Sequence, residues 1–496
     1  MAGQDATWSA YRERIAELEA LKGAIGVLSW DQQTFMPPGG AGHRGAQLAA
    51  LASVVHERMT APGLGDMLEE LLASPEPKRA AAARRVKRRY DRATKVPVAL
   101  VKATSRAQTE GFGAWMQARE AKDFTPFQAP LEALVRLAQE TAAAIGGADH
   151  PYDILLGEYD PGSTVAELDP MFRRLASELV PFVQAAADRE GPSGLEDVHV
   201  PAAALRLIND RVISALGFRT EDGRLDESQH PFTVGVGPHD VRLTTHIYEA
   251  DLLATLGGTI HECGHGLYEQ GIPDALLGTG LGEAAGVGLH ESQSRFWENI
   301  IGRSEAFCRW LAPALREAHP DLDLTPDRLY GACNRVAPSL IRIKADEATY
   351  NLHILIRYQL ETALLTGDLA VADAPAAWDE AYEKNLGVRP GDPTEGVLQD
   401  VHWASGYFGY FPSYTIGNLY AASFRARIEQ DLPDMWDEVE SGDFSAVLAW
   451  LREKVHTRGA EVDAPEIFRD AVGDRDPVAD LMAHLRGRHG ALYGMG

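Results

Sequence analysis

The chain of 496 residues is 45% hydrophobic and 24% charged, a balance that excludes global disorder and is sufficient for a large buried core. Its 72 acidic residues exceed its 47 basic residues, and the net charge of −25 disfavours nucleic acids and anionic membrane surfaces as partners. The three cysteines, Cys263, Cys308 and Cys333, are too few for a disulfide framework or a thiolate metal site and are typical of a reducing cytosol.

The N-terminal sequence gives no sign of a targeting segment. Residues 1–26 are amphipathic and charged where a signal peptide would need an apolar core. No run of about 18 apolar residues, the minimum for a membrane-spanning helix, occurs in the sequence. We therefore expect a protein of the cytoplasm that does not enter membranes.

Apolar residues three and four positions apart predict a mostly α-helical chain. The pattern is clear at 11–22, 131–145 and 170–187 and in long stretches after residue 249. The basic run at 78–95, KRAAAARRVKRRYDRATK, also has a helical pattern. Because no aromatic or glycine-rich pattern accompanies it, we interpret it as a solvated helix face opposite acidic neighbours rather than a nucleic-acid site.

Residues 218–246 interrupt the helical pattern. Turn residues mix there with alternating β-branched positions, which predicts a small sheet or hairpin. Loops are predicted at 62–65, 74–77, 190–201 and 388–394, and none of them is a low-complexity linker. We expect one domain over residues 1–496, with two lobes: an N-terminal helical part, about 1–215, and a catalytic part, about 216–496.

The segment GTIHECGHGLYEQG, residues 258–271, follows directly. Residues four apart on a helix differ by about 40° around the axis, so His261 and His265 can direct their imidazoles at one point. Glu262 is close enough in angle to reach a water on a metal held there, and Cys263 should face the core. The pattern predicts a metal site, although a helix that merely carries two histidines remains open.

A catalytic zinc ion takes three protein ligands and keeps one position open. Four acidic or histidine side chains downstream are candidates for the third ligand: Glu283, His290, Glu291 and Glu298. Spacing alone does not choose among them. The glycines of this region, at 257, 258, 264 and 266, lower helix stability and indicate close approach by another backbone or by a substrate.

A later stretch, SLIRIKADEATYNLHILIRYQLET, is predicted to be one helix. Its polar side chains recur at intervals of three and four, at Arg342, Asp346, Tyr350, His353 and Arg357. A surface helix would usually carry more lysine and glutamate, so we expect this polar face to line a functional site rather than to face bulk solvent.

Six motifs occur in a fixed order: HPF at 230–232, DVRLT at 240–244, HECGH at 261–265, HESQ at 290–293, IRIKAD at 341–346 and GVLQDVHW at 396–403. This set resembles the Taq-type carboxypeptidases, the thermostable carboxypeptidase 1 family of HExxH zinc metallocarboxypeptidases. The resemblance also covers LSWDQQTFMPPGGAGHRGAQLAAL near the N-terminus and GYFGYFPSY after residue 403, so it spans nearly the whole chain.

The resemblance implies a mainly α fold of the gluzincin, neurolysin-like type. This is a large helical peptidase body with a deep substrate groove and a small β hairpin or sheet beside the HExxH helix. It implies a homodimer. It also implies that His261, His265 and Glu291 bind Zn²⁺ and that Glu262 is the general base; cobalt or another divalent ion fits the same ligand types.

The activity implied is hydrolysis of the C-terminal peptide bond of peptides, releasing single amino acids, by a zinc-activated water with Glu262 as base. Resemblance favours His402, Tyr407 and Tyr410 as further active-site groups, without deciding which stabilises the oxyanion.

Arginine suits the terminal carboxylate of a peptide. We expect Arg357 as the leading anchor with Asp346 orienting it, and Arg242 as the second choice, with Tyr350 and Tyr414 also contacting substrate.

Two other functions remain. An oligopeptidase or dipeptidyl carboxypeptidase would use the same metal site. A non-catalytic peptide- or metal-binding protein is the more distant alternative, because the intact Glu262 argues against a silent site.

Overall fold

The structure is a computed structural model that describes residues 2–495, with side chains from residue 5 onward. Over this range the chain is predominantly helical, which confirms the predicted fold class. The first ten helices are α1 (Ala2–Gln33), α2 (Ala41–Met59), α3 (Leu64–Leu72), α4 (Pro77–Lys95), α5 (Val98–Ala121), α6 (Thr125–Ile145), α7 (Pro151–Tyr159), α8 (Val165–Ala187), α9 (Ala202–Ala215) and α10 (Leu252–Glu269). The others are α11 (Val287–Arg295), α12 (Glu305–Ala318), α13 (Pro326–Cys333), α14 (Glu347–Thr366), α15 (Ala374–Leu386), α16 (Pro412–Asp431), α17 (Met435–Ser441), α18 (Ser445–Lys454), α19 (Ala464–Val472) and α20 (Pro477–Tyr493).

Three of the predicted helical segments lie inside observed helices. Segments 11–22, 131–145 and 170–187 fall within α1, α6 and α8. The helix with the two histidines, α10, begins after the N-cap residue Asp251, whose side chain accepts a hydrogen bond from the backbone N–H of Ala254 at 2.9 Å. This bond satisfies one of the free N–H groups of the first turn.

The predicted small sheet has three strands, β1 (Gly223–Glu227), β2 (Thr233–Gly237) and β3 (Asp240–Thr245), in the order β1-β3-β2. Strands β2 and β3 form the antiparallel hairpin, while β1 pairs with β3 in parallel. Strand β3 packs on α10: a Cβ added at Gly266 would lie 2.7 Å from a methyl group of Leu243. The sheet is therefore fixed against the helix that carries the histidines.

The chain divides into two compact units. Unit 1 comprises residues 1–94, 193–333 and 420–475, and unit 2 comprises residues 95–192, 334–419 and 476–496. Unit 1 contains the sheet, α10 and α11, whereas α5–α8, α14, α15 and α20 belong to unit 2. These segments alternate along the chain, so neither unit coincides with the predicted parts 1–215 and 216–496. The expectation of a single domain stays a prediction.

The basic run of α4 has the acidic neighbours that the sequence suggested. One side of the helix is buried through Ala82, Ala83 and Val86. Its arginines and lysines pair within unit 1 with acidic side chains of other segments: Lys78 with Glu461, Arg79 with Asp5, Arg85 and Arg89 with Glu283, and Arg88 with Asp463. Among the residues described, no helix is both long and apolar enough to cross a lipid bilayer.

Candidate metal centre

Helices α10 and α11 of unit 1 meet with their backbones in close contact. A Cβ added at Gly264 would lie 2.6 Å from the carbonyl oxygen of Gln293 and from the Cα of Ser294, so only glycine fits at this position. The predicted close approach by another backbone is confirmed here. It brings the middle of α11 next to the face of α10 that carries His261 and His265.

Three side chains converge at this contact. The Oε2 atom of Glu291 lies 3.6 Å from Nε2 of His261 and 3.5 Å from Nε2 of His265. One ligand atom from each residue lies within 4.8 Å of the others. Two imidazole nitrogens and one carboxylate oxygen at such spacing fit a divalent transition metal ion.

The second ring nitrogen of each histidine is also bound. Nδ1 of His261 lies 2.8 Å from Oε2 of Glu298, in a π-helical segment that continues α11. Nδ1 of His265 lies 2.5 Å from Nδ1 of His290, whose Nε2 lies 2.8 Å from Oε1 of Glu269. Such partners fix the orientation of metal-binding imidazoles and leave Nε2 for the ion.

The other candidates for the third ligand therefore have different contacts. Glu298 and His290 hold the far sides of the histidine rings. Glu283 is paired with Arg85 and Arg89. Among the four candidates, it is Glu291 that has a carboxylate oxygen facing both Nε2 atoms. The spacing of residues in the sequence could not distinguish it from the other three. That these residues bind the metal stays a prediction.

The charge environment suits a cation. Burial raises the pKa of Glu291, but the nearby charges of Arg295 and His261 outweigh it, so the net pKa is well below the usual range and the carboxylate is ionised. The Nε atom of Arg295 donates to Oε1 of Glu291 at 2.7 Å, which leaves Oε2 directed at the histidines. Burial lowers the pKa of His265 to about 3, so this ring is neutral near pH 7 and keeps a lone pair for a metal.

Glu262 lies on α10 beside the first histidine and is only 7% exposed. The hydroxyl of Thr233, on strand β2, lies 2.7 Å from Oε2 of Glu262 and 2.9 Å from the Glu262 backbone carbonyl. Burial raises the pKa of Glu262 above its usual value, which makes the carboxylate a stronger base. Cys263 is fully buried, as expected for a residue on the core side of the helix.

Apart from Arg242, which belongs to unit 1, the remaining predicted groups lie in unit 2. Burial lowers the pKa of His402 to about 4, so its imidazole is neutral near pH 7. Tyr407 is 50% exposed. The ring of Tyr410 packs edge-on against Tyr159, with centroids 5.0 Å apart. His402, Tyr410 and Tyr414 form one aromatic cluster with Phe411.

Arg357 is completely buried, and its partner is Asp400. Its Nε donates to Oδ2 of Asp400 at 2.6 Å, and its Nη1 donates to the hydroxyl of Tyr382 at 3.0 Å. The other oxygen of Asp400, Oδ1, accepts from Nε and Nη2 of Arg342 at 3.1 and 2.8 Å. One buried carboxylate thus neutralises two arginines.

Two details of the predicted polar helix are wrong. Helix α14 begins at Glu347, so Arg342 lies in a short 3-10 turn before it. Asp346 is the N-cap of α14, with Oδ1 accepting from the backbone N–H groups of Ala348 and Thr349 at 3.0 Å each. An aspartate is favoured at such a cap, and the Asp346 side chain also accepts from the backbone N–H of Ala337 at 3.0 Å rather than contacting Arg357.

The other tyrosines and Arg242 also have defined contacts. Nη1 of Arg342 donates to the hydroxyl of Tyr350 at 3.0 Å, and its guanidinium lies 5.1 Å from the ring centroid of Tyr414. In unit 1, Arg242 binds Asp240 through two hydrogen bonds of 2.9 Å and lies 4.3 Å from the ring of Trp30. The Arg242 side chain is partly exposed, whereas that of Arg357 is not.

Comparison with known proteins decides the family. Residues 10–489 match the family described as carboxypeptidase Taq (M32) metallopeptidase. The chain belongs to this M32 family of metallocarboxypeptidases.

Known relatives are similar to this M32 chain over almost their whole length. It is 40% identical to thermostable carboxypeptidase 1 of Thermus thermophilus over 95% of this chain and 96% of that protein. It is 36% identical to carboxypeptidase 1 of Bacillus subtilis, over 95% of each. The crystal structure of the M32 carboxypeptidase from Deinococcus radiodurans R1 is 37% identical, with a TM-score of 0.96 over 99% of this chain and 100% of that one. The predicted family and activity class are confirmed, and the family is one of metal-dependent peptidases.

Sequence reasoning missed several residues that contact the predicted ones. Thr233, Arg295 and Asp400 contact predicted site residues in the structure. Asp400 had a signal, because it belongs to the GVLQDVHW motif. For Thr233 and Arg295 the only signal in the sequence is that they lie close to the HPF and HESQ motifs.

Proposed function

We propose that this M32 protein is a zinc-dependent carboxypeptidase that releases single C-terminal amino acids from peptides. The observation that carries the proposal is the convergence of Glu291 Oε2 with the Nε2 atoms of His261 and His265, at 3.6 and 3.5 Å. Zinc is the usual ion for two histidines and one carboxylate, and three protein ligands leave a position for water. Cobalt or another divalent ion suits the same ligand types.

A divalent ion held by these three residues would supply a Lewis acid for the peptide carbonyl and would lower the pKa of a bound water. Glu262 takes a proton from the attacking water and delivers it to the leaving amine. We assign this transfer to its Oε1 atom, since Thr233 occupies Oε2. Burial of Glu262 supports its role as the base, because its raised pKa favours accepting a proton.

His402, Tyr407 and Tyr410 are proposed to donate hydrogen bonds to the substrate or to the oxyanion of the tetrahedral intermediate. A neutral imidazole carries one N–H donor, and the low pKa of His402 keeps it neutral at the pH where a peptidase would act. The exposure of Tyr407 supports a role in which its hydroxyl meets a ligand.

Arg242 is now the preferred anchor for the terminal carboxylate of the peptide, and Arg357 is the second choice. Arg357 has no exposed surface and is committed to Asp400. Arg242 is paired with Asp240 and remains partly exposed. A guanidinium in this position can exchange or share its carboxylate partner with less desolvation than a buried one.

The remaining expectations are also proposals: a homodimer located in the cytoplasm, with peptides as substrates and without nucleic-acid or membrane partners. The ion pairs of the basic face of α4 with acidic side chains support the exclusion of nucleic acid. Sedimentation of the purified protein tests the dimer.

Product analysis tests the activity. The purified protein is incubated with an unmodified peptide and with its C-terminal amide, with and without a chelator, and the products are followed by mass spectrometry. Successive loss of single C-terminal residues from the free acid, abolished by the chelator, supports the proposal. Released dipeptides or internal cuts would instead identify a dipeptidyl carboxypeptidase or an oligopeptidase.

A further inference from the structure

Glu361, on α14 in unit 2, is a fully buried carboxylate with three hydrogen-bond donors around it. Its Oε1 accepts from the indole Nε1 of Trp403 at 2.7 Å. Its Oε2 accepts from the hydroxyl of Tyr152 at 2.7 Å and from the backbone N–H of Gly409 at 3.1 Å. Both oxygens are therefore used as acceptors, which is what an ionised carboxylate offers.

Two of these donors mark the ends of one loop. Residues 402–410, which we name the aromatic loop, begin with His402 and end with Tyr410. Trp403 follows His402 directly, and Gly409 directly precedes Tyr410. The carboxylate of Glu361 thus binds the loop next to each of its two terminal residues.

The loop between these points is closely constrained. The backbone N–H of Tyr407 donates to the carbonyl of His402 at 2.9 Å. Gly409 has a φ of +87°, and a Cβ there would lie 2.7 Å from the backbone of Leu155 in α7. Glycine is required at Gly409 both by its left-handed backbone and by this contact. Glu361 thus contacts the loop near both of its ends, and the backbone of α7 packs against it at Gly409.

We propose that Glu361 is a positioning residue for the peptidase reaction, because its carboxylate ties both ends of the aromatic loop and so holds His402, Tyr407 and Tyr410 in place. The inference rests on the proposed function, in which those three residues act on the substrate. Glu361 itself contacts Trp403, Tyr152 and Gly409 rather than the reacting groups.

The tie depends on the charge of Glu361. All three contacts come from donors, and a proton on either oxygen reduces the capacity of the carboxyl group to accept from them, which weakens the contacts. Tyr152 and Tyr159 face the carboxylate from α7, and burial raises the pKa of both tyrosines, so they stay neutral. The cation nearby is Arg357, four residues earlier on α14. Burial raises the pKa of Glu361 to about 7 against the opposing effects of these donors and of Arg357. The loop is therefore held fully above neutral pH and less firmly below it.

The test compares Glu361→Gln with Glu380→Gln, an exposed glutamate of the same unit, in the metal-loaded enzyme. Two quantities are measured: kcat and KM for a free-acid peptide, and hydrogen exchange of the Gly409 amide corrected for its intrinsic rate. Glu361→Gln is expected to lower kcat by about 100-fold, since misplaced catalytic groups cost this much, with a smaller effect on KM. The Gly409 amide should exchange faster, while Glu380→Gln behaves as the native enzyme.

The pH dependence of activity distinguishes a positioning role of Glu361 from a purely structural one. The ratio of native to Glu361→Gln activity should shrink as the pH falls from about 8 to about 5.5, because the native carboxylate becomes protonated whereas glutamine does not titrate. Other titrating groups cancel in this ratio. Exchange of the Gly409 amide in the native protein should accelerate over the same range.

A second variant, Tyr152→Phe, covers the case in which Glu361→Gln does not fold. It removes one donor and keeps the ring, so we expect a smaller loss of kcat with faster exchange at Gly409. Native kcat and native exchange in both variants would overturn the inference, as would a loss of exchange protection spread evenly over unit 2. Failure of the proposed function is seen separately, as activity retained in Glu262→Gln, and leaves the exchange experiment unaffected.

Discussion

The Oε2 atom of Glu298 lies 2.8 Å from Nδ1 of His261, on the side of the ring opposite Glu291. Burial raises the pKa of Glu298, but Arg295 and the bond to His261 outweigh it, so the net pKa lies well below its usual range. An ionised Glu298 fixes the ring with a proton on Nδ1 and increases the basicity of Nε2. The contact with Glu298 thus orients the His261 ring with Nε2 on the side of Glu291.

Replacing this carboxylate should weaken metal binding. We expect Glu298→Gln to lower the affinity for zinc by about 10- to 100-fold, as for other outer partners of metal-binding histidines, with a parallel loss of activity at limiting zinc. Zinc affinity is measured by competition with a chromophoric chelator. Glu317→Gln, which alters an exposed ion pair with Arg211, is the control. Equal zinc affinity in the two variants would contradict the role of Glu298.

The proposed base can be separated from the metal ligands. Glu262→Gln retains the shape of the side chain but cannot accept a proton, so we expect it to bind zinc normally and to lose nearly all turnover. His265→Ala should lose both zinc and turnover. Metal content by elemental analysis and kcat on the same samples distinguish the two variants. Substantial activity in Glu262→Gln would overturn the assignment of the base.

Much of the fold and part of the site could be predicted from the sequence. Apolar periodicity located α6 and α8, for example, because each of these helices buries apolar residues three and four positions apart. The paired histidines were also visible, since four-residue spacing brings side chains together on one helix. The third ligand was not, because four candidates lay within sixteen positions, 283 to 298. Which of them faces the histidines depends on the approach of α11 to Gly264, a tertiary contact.

Other features were hidden for different reasons. The start of α14 was misplaced because polar residues kept a helical period across the N-cap, although aspartate at 346 is a recognised cap signal. Glu361 resembles an ordinary helix glutamate in the sequence QLET. Its three donors come from α7 and the aromatic loop, at sequence separations of 42 residues or more, so only the folded chain places them around it.

Replacing each of the two candidate carboxylate anchors, Arg242 and Arg357, distinguishes between them. If Arg242 binds the terminal carboxylate, Arg242→Ala should raise KM for a free-acid peptide by about 10-fold or more, the value of a charge-assisted hydrogen bond of about 1.5–3 kcal/mol. Binding of the corresponding amide, measured as its inhibition of the free-acid reaction, should change less. Arg357→Ala should mainly lower stability, because it leaves Asp400 with one cation. A selective rise of KM in Arg357→Ala would restore Arg357 as the anchor.

Asp400 should control the stability of unit 2 at acid pH. Burial raises its pKa, but Arg357 and Arg342 outweigh that effect, so the folded-state pKa lies below the unfolded value. The stability from this group is therefore complete above about pH 4 and is lost as the pH falls toward the folded-state pKa. Asp400→Asn should lower the free energy of unfolding by about 3–5 kcal/mol near pH 7, since two buried arginines lose their counter-charge.

Urea unfolding at several pH values measures this effect. The difference between native protein and Asp400→Asn should be largest near neutral pH and should narrow below about pH 4. Glu383→Gln, which alters an exposed pair with Arg389, is the matched control and should change stability by less than about 1 kcal/mol. A difference that stays constant with pH would show that packing, rather than charge, accounts for the loss.

The contact of α10 with α11 can be tested with two glycines of the same helix. A Cβ at Gly264 would lie 2.6 Å from the backbone of α11, whereas one at Gly258 would lie 3.4 Å from the side chain of Pro231. Gly264→Ala must push α11 away, so we expect a loss of stability of about 1–3 kcal/mol together with weaker zinc binding, as Glu291 moves from the histidines. Gly258→Ala should be neutral or gain up to about 1 kcal/mol from helix propensity. The stability and the zinc affinity of both variants are measured by thermal unfolding and by zinc titration. Equal stability and equal zinc affinity in the two variants would mean that the close approach at Gly264 does not set the position of the third ligand.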